Sequence, residues 1–387
     1  MGSAMDLRYG CNPHQSFAAA QPLAQAPCEL VSGQPSLINL LDALNAWQLV
    51  KEVKQALGLP AAASFKHVSP AGAAVAQPLD APLAEAYEVS GVELTPAALA
   101  YVRARGADPK CSYGDFAALS EPVDEATARF LKGVVSDGII APAYEPAALE
   151  ILKQKKGGKF LVLSADPGFE PPGRESREMY GMRLTQDRNN RVFVTDDLKD
   201  VVCGELSEPA KRDLVLGLTT LKYTQSNSVG FAVDGQMVGI GAGQQSRVDC
   251  TKLAGGKADV WQLRRHPKVL GLRFKPEVKR QQRVNWRVRY IEGDLVPSEE
   301  SGLRAALEGE LSPLTAAEKA EYLAKVTGVS LVSDGFIPFR DNIDHAQRHG
   351  VSFVAQPGGS TRDADVAAAC REYGIAMVHT HIRTFHH

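Results

Sequence analysis

The stretch Val134-Val-Ser-Asp-Gly-Ile-Ile-Ala-Pro142 decides the fold class. A short apolar run bounded by turn signals reads as a buried strand, here interrupted by Asp137-Gly138. Residues from Pro146 to Lys156 follow with helical spacing, and Phe160 to Leu163 form a second apolar strand. Strand, polar turn, helix and strand make a βαβ-type unit, which predicts an α/β protein.

A second copy of this pattern lies downstream. Val332-Ser-Asp334-Gly-Phe-Ile-Pro-Phe339 echoes the opening stretch and also leads to a helix and a strand, Val351 to Ala355. Leu221-Lys222-Tyr223 echoes Phe65-Lys66-His67 in the same order within its half. Two ordered matches predict a duplicated α/β unit with a cleft between the copies. The Pro-, Gly- and charge-rich run from Pro167 to Glu178 is the natural boundary. The expected division is a first unit over 5–170, a linker region over 171–200 and a second unit over 201–387.

The chemistry concentrates at Ser64-Phe-Lys-His-Val-Ser-Pro-Ala-Gly-Ala-Ala-Val-Ala76. A strand ending at Phe65 delivers Lys66 and His67 into a turn at Pro70 and Gly72, with a small-residue helix expected to start behind it. An ammonium beside an imidazole is a workable acid and base pair. On its own such a pair is more often a solvated surface feature. Ser36 to Leu57 precedes it, an amphipathic helix with Leu37, Leu40, Leu41, Leu44, Trp47, Val50 and Val53 at three- and four-residue steps, Ser36 as its cap and Gly58 as its stop. Thr95-Pro96 caps another helix, ending near Arg103 to Gly106.

Five further segments carry polar or ligand-type residues. Leu7 to Gln15 is an ordered loop with an Arg8-Tyr9 pair, and Cys111 to Phe116 is a turn whose Gly114 allows close backbone approach. Lys222 to Arg247 gathers amides, hydroxyls and glycines; Gly239, Gly241 and Gly243 miss the dinucleotide fingerprint, so the loop better suits a planar polar ligand or a monovalent cation such as potassium (K+). The basic run from Arg273 to Arg289 reads as a solvated helix face or a site for a polyanionic tail. His379 and His381 alternate on one strand face, but no Cys or carboxylate nearby in sequence completes a metal site.

Composition sets the outer limits. The 387 residues are 44% hydrophobic and 23% charged with a formal net charge of −2, an ordinary globular balance that gives no reason to expect nucleic acid. No apolar run reaches membrane-spanning length and no secretory pattern opens the chain, so a cytoplasmic protein is expected. The six cysteines contain no Cys-x-x-Cys pair and read as reduced. Met1-Gly-Ser-Ala4 reads as a cloning remnant.

Leu7 to Gln15, Ser64 to Gly72, Val134 to Pro142, Leu221 to Val229, Gly239 to Arg247, Asp334 to Asn342 and Arg383-Thr-Phe-His-His387 occur in an order that resembles one family. It is the transformylase half of the bifunctional purine-biosynthesis enzyme, the 5-aminoimidazole-4-carboxamide ribonucleotide (AICAR) formyltransferase. The resemblance implies two cytidine-deaminase-like units without catalytic zinc, since the His-x-Glu and Pro-Cys-x-x-Cys signature is absent. It implies transfer of a formyl group from 10-formyltetrahydrofolate to the 5-amine of AICAR, with Lys66, His67 and Asn227 catalytic. Arg8, Tyr9, Lys156 and Arg383 would hold the 5′-phosphate, and Gly114, Asp137 and Phe336 the imidazole carboxamide. Tyr113, Arg247, Val248, Asn285, Pro338, Phe339 and Asp341 would form the folate side.

The same resemblance implies a homodimer with shared sites. The cyclohydrolase domain that precedes this region in the bifunctional enzyme is missing, so a separate inosine monophosphate (IMP) cyclohydrolase is expected downstream. Tyr113 stands where the family usually has phenylalanine. Two other readings stand beside this one: a hydrolytic deaminase on the same fold, and a catalytically silent AICAR-binding sensor.

Overall fold

The computed structural model describes residues 5–387; the Met1 to Ala4 segment lies outside them. One twelve-stranded mixed sheet runs through the chain with helices on its faces. Its strands are β1 (Cys28–Ser32), β2 (Ala61–Lys66), β3 (Ser69–Val75), β4 (Asp115–Leu119), β5 (Ser136–Ala141), β6 (Leu161–Ala165), β7 (Asp200–Cys203), β8 (Val229–Val233), β9 (Gln236–Gly241), β10 (Val329–Ser333), β11 (Val351–Gln356) and β12 (Ala376–His379). They lie in the order β7-β12-β11-β10-β8-β9-β3-β2-β4-β5-β6-β1.

Outward from the central β3–β9 contact, made at Gln236 and Ala74, the two sides run β3-β2-β4-β5-β6-β1 and β9-β8-β10-β11-β12-β7. Directions match step for step on the two sides: antiparallel, antiparallel, parallel, parallel, antiparallel.

Local chemistry accounts for the helices that hold this sheet. Helix α1 (Leu37–Leu57) starts on a Ser36–Asn39 capping box and stops at Gly58 in the left-handed conformation, as its sequence predicts. The stripe buries Leu40, Trp47, Val50 and Val53 as expected and departs from expectation at one place. Leu41 is 39% exposed, whereas Asp42 is buried among Ala43, Ala46 and Trp47. Helix α2 (Pro96–Ala107) keeps its Thr95 cap and first-turn proline.

The small-residue stretch after Gly72 is strand β3 and not the start of a helix. Small side chains are needed there because α2 lies directly on the strand: a Cβ built on Gly72 would stand 2.1 Å from the Ala104 carbonyl oxygen. Helix α3 (Glu208–Leu221) precedes β8 as α1 precedes β2, and α4 (Arg247–Leu263) follows β9 as α2 follows β3. At Gly239 of β9 the built Cβ would again stand 2.1 Å from a carbonyl oxygen, that of Ala254 in α4.

The two sequence echoes do not coincide with this correspondence. Asp137 is in β5, whose counterpart is β11, while Asp334 follows β10; Lys66 ends β2, while Lys222 caps α3. The helix expected to reach Lys156 ends at Gln154, and Lys156 and Gly157 turn through left-handed backbone. Within 171–200, Arg174–Met179 and Met182–Asp187 pair as a separate, wholly exposed hairpin.

Candidate functional site

Strand direction collects the candidate residues before any side chain is considered. β2 and β9 run one way, β3 and β8 the other, so the end of β2 and the start of β8 reach the same edge of the sheet. By the same reasoning, so do the starts of β4, β5 and β6 and the ends of β10 and β12. Lys66, His67, Tyr113, Gly114, Asp137, Lys156, Asn227, Phe336, Pro338, Phe339, Asp341 and Arg383 therefore flank one edge, and Arg247 and Val248 join them at the start of α4. Asn285 does not: it is exposed on the helix Arg280–Glu292, where its side chain bonds Gln281.

Two clusters form on this edge. In the first, Lys66 Nζ donates to the Tyr113 carbonyl, and a Cβ built on Gly114 would stand 3.3 Å from Lys66 Nζ and 4.0 Å from Asp137 Oδ2. Lys156 Nζ lies 2.6 Å from Asp137 Oδ1. Arg8 stacks on Tyr9 and reaches Asn39 Oδ1 at 3.4 Å, placing the N-terminal loop over the first turn of α1. One turn on, Asp42 Oδ1 accepts the Val68 amide proton at 2.7 Å. Burial pushes the Asp42 carboxyl up to about 6, against the lowering effects of that bond and of Lys66. His67 is exposed at the tip of the β2–β3 hairpin.

A buried network braces the first cluster from below. Asp115 accepts from Ser64 Oγ at 2.7 Å and Tyr101 Oη at 2.9 Å and pairs with Arg105, which also donates to the Val135 carbonyl at 3.0 Å. It ties together the ends of β2, β4 and β5, the elements that carry Lys66, Gly114 and Asp137.

In the second cluster Asp334 is fully buried and accepts from Arg247 Nη1 at 2.6 Å, Ser226 Oγ at 2.6 Å and the Ser228 amide at 2.9 Å. Arg247 Nη2 donates to Asn227 Oδ1 at 2.7 Å, fixing the Asn227 side chain, whose Nδ2 reaches the Gln245 carbonyl at 3.2 Å. The C-terminal tail returns over this cluster: the Thr384 amide donates to the Asp334 carbonyl and the Ser226 amide to that of His386. Between the end of β2 and the start of β8 lie β3 and β9, whose contact at Gln236 and Ala74 is near the opposite edge of the sheet. No hydrogen bond between described residues joins the two clusters.

Sequence reasoning missed Asn39 and Asp42, which sit inside an apolar helix pattern, and Asp115, which sits inside a strand. An aspartate or asparagine in such an element reads as exposed until the burial of that position is known, so the sequence carried no signal for them. The basic run is largely used internally: Arg283 and Arg287 pair with Glu88, and Arg289 with Glu292, Asp294 and Glu299. Of the terminal histidines, His379 contacts Gln356 and His381 pairs with Asp200. Among the described residues no three His, Cys, Asp or Glu side chains group as a metal-ligand set, and no helix is long and apolar enough to cross a membrane.

The fold and site thus define an α/β protein with two charged, buried-braced clusters on one sheet edge. The family model described as the AICARFT/IMPCHase bienzyme matches residues 1–257, and the chain belongs to that family. It is similar to the bifunctional purine biosynthesis protein PurH of Magnetococcus marinus, 31% identical over 389 residues and 98% of this chain, and to that of Roseobacter denitrificans, 32% identical over 391 residues and 99% of this chain. The chain spans 59% and 60% of the lengths of these two relatives.

Proposed function

We propose that the protein transfers a formyl group from 10-formyltetrahydrofolate to the 5-amine of AICAR, giving the formylated nucleotide FAICAR. The observation that carries this reading is the convergence of Lys66, His67, Asp137 and Lys156 on one sheet edge with the Asn227–Arg247–Asp334 cluster. The AICAR amine is a poor nucleophile because its lone pair is drawn into the imidazole carboxamide, so it must lose a proton as it attacks. His67, exposed at the hairpin tip, takes that proton. Lys66 stabilises the oxyanion of the tetrahedral adduct or protonates the departing folate nitrogen. Asn227, fixed by Arg247, orients the adduct.

On the acceptor side, Arg8, Tyr9, Lys156 and Arg383 bind the 5′-phosphate, and Gly114, Asp137 and Phe336 bind the carboxamide. The exposed rings of Tyr113 and Phe339 suit a flat pteridine, with Arg247, Val248, Pro338 and Asp341 beside them. Asn285 is absent from the edge of its own chain, which supports a homodimer in which a second copy completes the folate side. Ser228 Oγ and Thr384 Oγ1 are buried without a hydrogen-bond partner close to Asp334, a set of oxygens that fits a monovalent cation such as potassium. The matching strand orders support two cytidine-deaminase-like units meeting at β3 and β9. The formylated product is the substrate for ring closure by an IMP cyclohydrolase activity, and the reaction is placed in the cytoplasm.

The test is a spectrophotometric assay of tetrahydrofolate release with AICAR and 10-formyltetrahydrofolate. Turnover is expected, with losses of about 10²- to 10⁴-fold in Lys66→Ala and His67→Ala. Full activity in His67→Ala would overturn its role as base, and tight AICAR binding without turnover would favour the silent sensor.

A further inference from the structure

The hairpin that carries His67 has a backbone its own residues do not favour. His67 and Val68 form the two-residue loop between β2 and β3, with φ of 52° and 62°. Such loops normally recruit Asn-Gly or Asp-Gly, because a left-handed backbone crowds a Cβ and crowds a β-branched side chain most. A conformation of this kind persists only where its surroundings hold it. The loop is held from outside the hairpin by the 2.7 Å bond from the Val68 amide to Asp42 Oδ1.

We propose that Asp42 is a positioning residue for His67, its buried carboxylate clamping the Val68 amide so that the loop stays left-handed and presents His67 to the sheet edge. This rests on the reading of His67 as the base. Asp42 is suited to the task because it is 6% exposed on a capped helix, so its oxygen is fixed in space. Asn39, three residues earlier on the same helix face, contacts Arg8. The first turns of α1 thereby set the separation between a phosphate-binding arginine and the base. A displacement of about 1 Å at the reacting atoms costs about 10²-fold in rate, so a loosened loop should be visible in turnover before it is visible in binding.

The experiment compares wild type, Asp42→Ala, Asp42→Asn and the double variant Asp42→Ala/Val68→Gly in the full chain. Amide hydrogen exchange of the 64–72 segment is read beside steady-state kinetics and AICAR calorimetry. Asp42→Ala is expected to speed exchange about tenfold or more and to lower kcat about 10- to 100-fold, with the KM for AICAR changed less than about threefold. Asp42→Asn keeps a carbonyl acceptor and is expected to recover the exchange protection and the larger part of kcat. Glycine at 68 adopts the left-handed backbone without a clamp and should restore part of kcat in the Ala background.

Unchanged exchange and kcat in Asp42→Ala would overturn the proposal, and so would equal impairment of Asp42→Asn and Asp42→Ala, which would assign the effect to charge. If wild type transfers no formyl group, the functional reading fails, while the exchange comparison still decides whether Asp42 holds the loop.

Discussion

Asp42 makes stability depend on pH in the direction opposite to most paired carboxylates. Burial is the largest influence on it and raises its pKa from an ordinary 3.8 to about 6, with Asp137 adding to the rise and the Val68 amide and Lys66 opposing it. A carboxyl whose pKa is higher folded than unfolded is bound more tightly by protons in the native state. Its contribution is therefore complete below about pH 4, falls as pH rises and is gone above about pH 6. A rise of about two pH units converts at about 1.4 kcal/mol each to about 3 kcal/mol. Urea unfolding of wild type and Asp42→Asn at several pH values isolates this group, because asparagine does not titrate and other groups cancel in the difference. The variant should gain about 2.4 kcal/mol on the wild type between about pH 4 and pH 7. A flat difference would mean that the Val68 bond and Lys66 cancel burial, and a wild type that gains on the variant as pH rises would mean that they outweigh it.

Asp334→Ala should lower stability by about 3–5 kcal/mol, because it leaves Arg247 buried without its charge partner; a urea midpoint within error of wild type would refute that pairing. Gly72→Ala and Gly239→Ala should each cost about 1–3 kcal/mol in thermal or urea unfolding, since each Cβ would press a helix carbonyl from 2.1 Å, and a neutral result at either position would contradict the close seat of the helix. Gly114→Ala combines a φ of 75° with a Cβ 3.3 Å from Lys66 Nζ, so turnover should fall more steeply than its melting temperature, and an unimpaired enzyme would remove Gly114 from the site.

The contrast between what the sequence disclosed and what it hid follows from where each signal is written. Capping is local: Ser36 and Thr95 bond amides three residues away, and both helices begin where those residues stand. The βαβ reading around Val134 to Pro142 rests on a local period and survives as β5, a helix and β6. Pro70-Ala-Gly-Ala-Ala74 carries three alanines, the strongest helix formers, yet its β structure is imposed from outside. β3 lies at the centre of the sheet beneath α2, where only small side chains fit, and tertiary packing overrides propensity. The correspondence between the halves was hidden for a related reason. It resides in strand order and in two glycines under helices, whereas the visible repeats of Ser-Asp-Gly and of Lys before an aromatic ring fall at unmatched places.

The site divides along the same line. Residue types suited to acid–base and anion chemistry were legible because they stand where strands end, and antiparallel contact between β3 and β9 is what turns those scattered loops into one edge. The supports were not legible, because an aspartate in a helix announces a surface position until the phase of that helix is known to one residue. Leu41 and Asp42 differ by a single step of about 100°, and the apolar pattern alone chose the wrong one. Asp115 and Asp334 repeat the lesson in the sheet. Each is fully buried at one terminus of a β-strand, and each is neutralised by a helix arginine, Arg105 of α2 and Arg247 of α4. Those two arginines occupy opposite ends of their helices, so the two halves brace the same edge by different means.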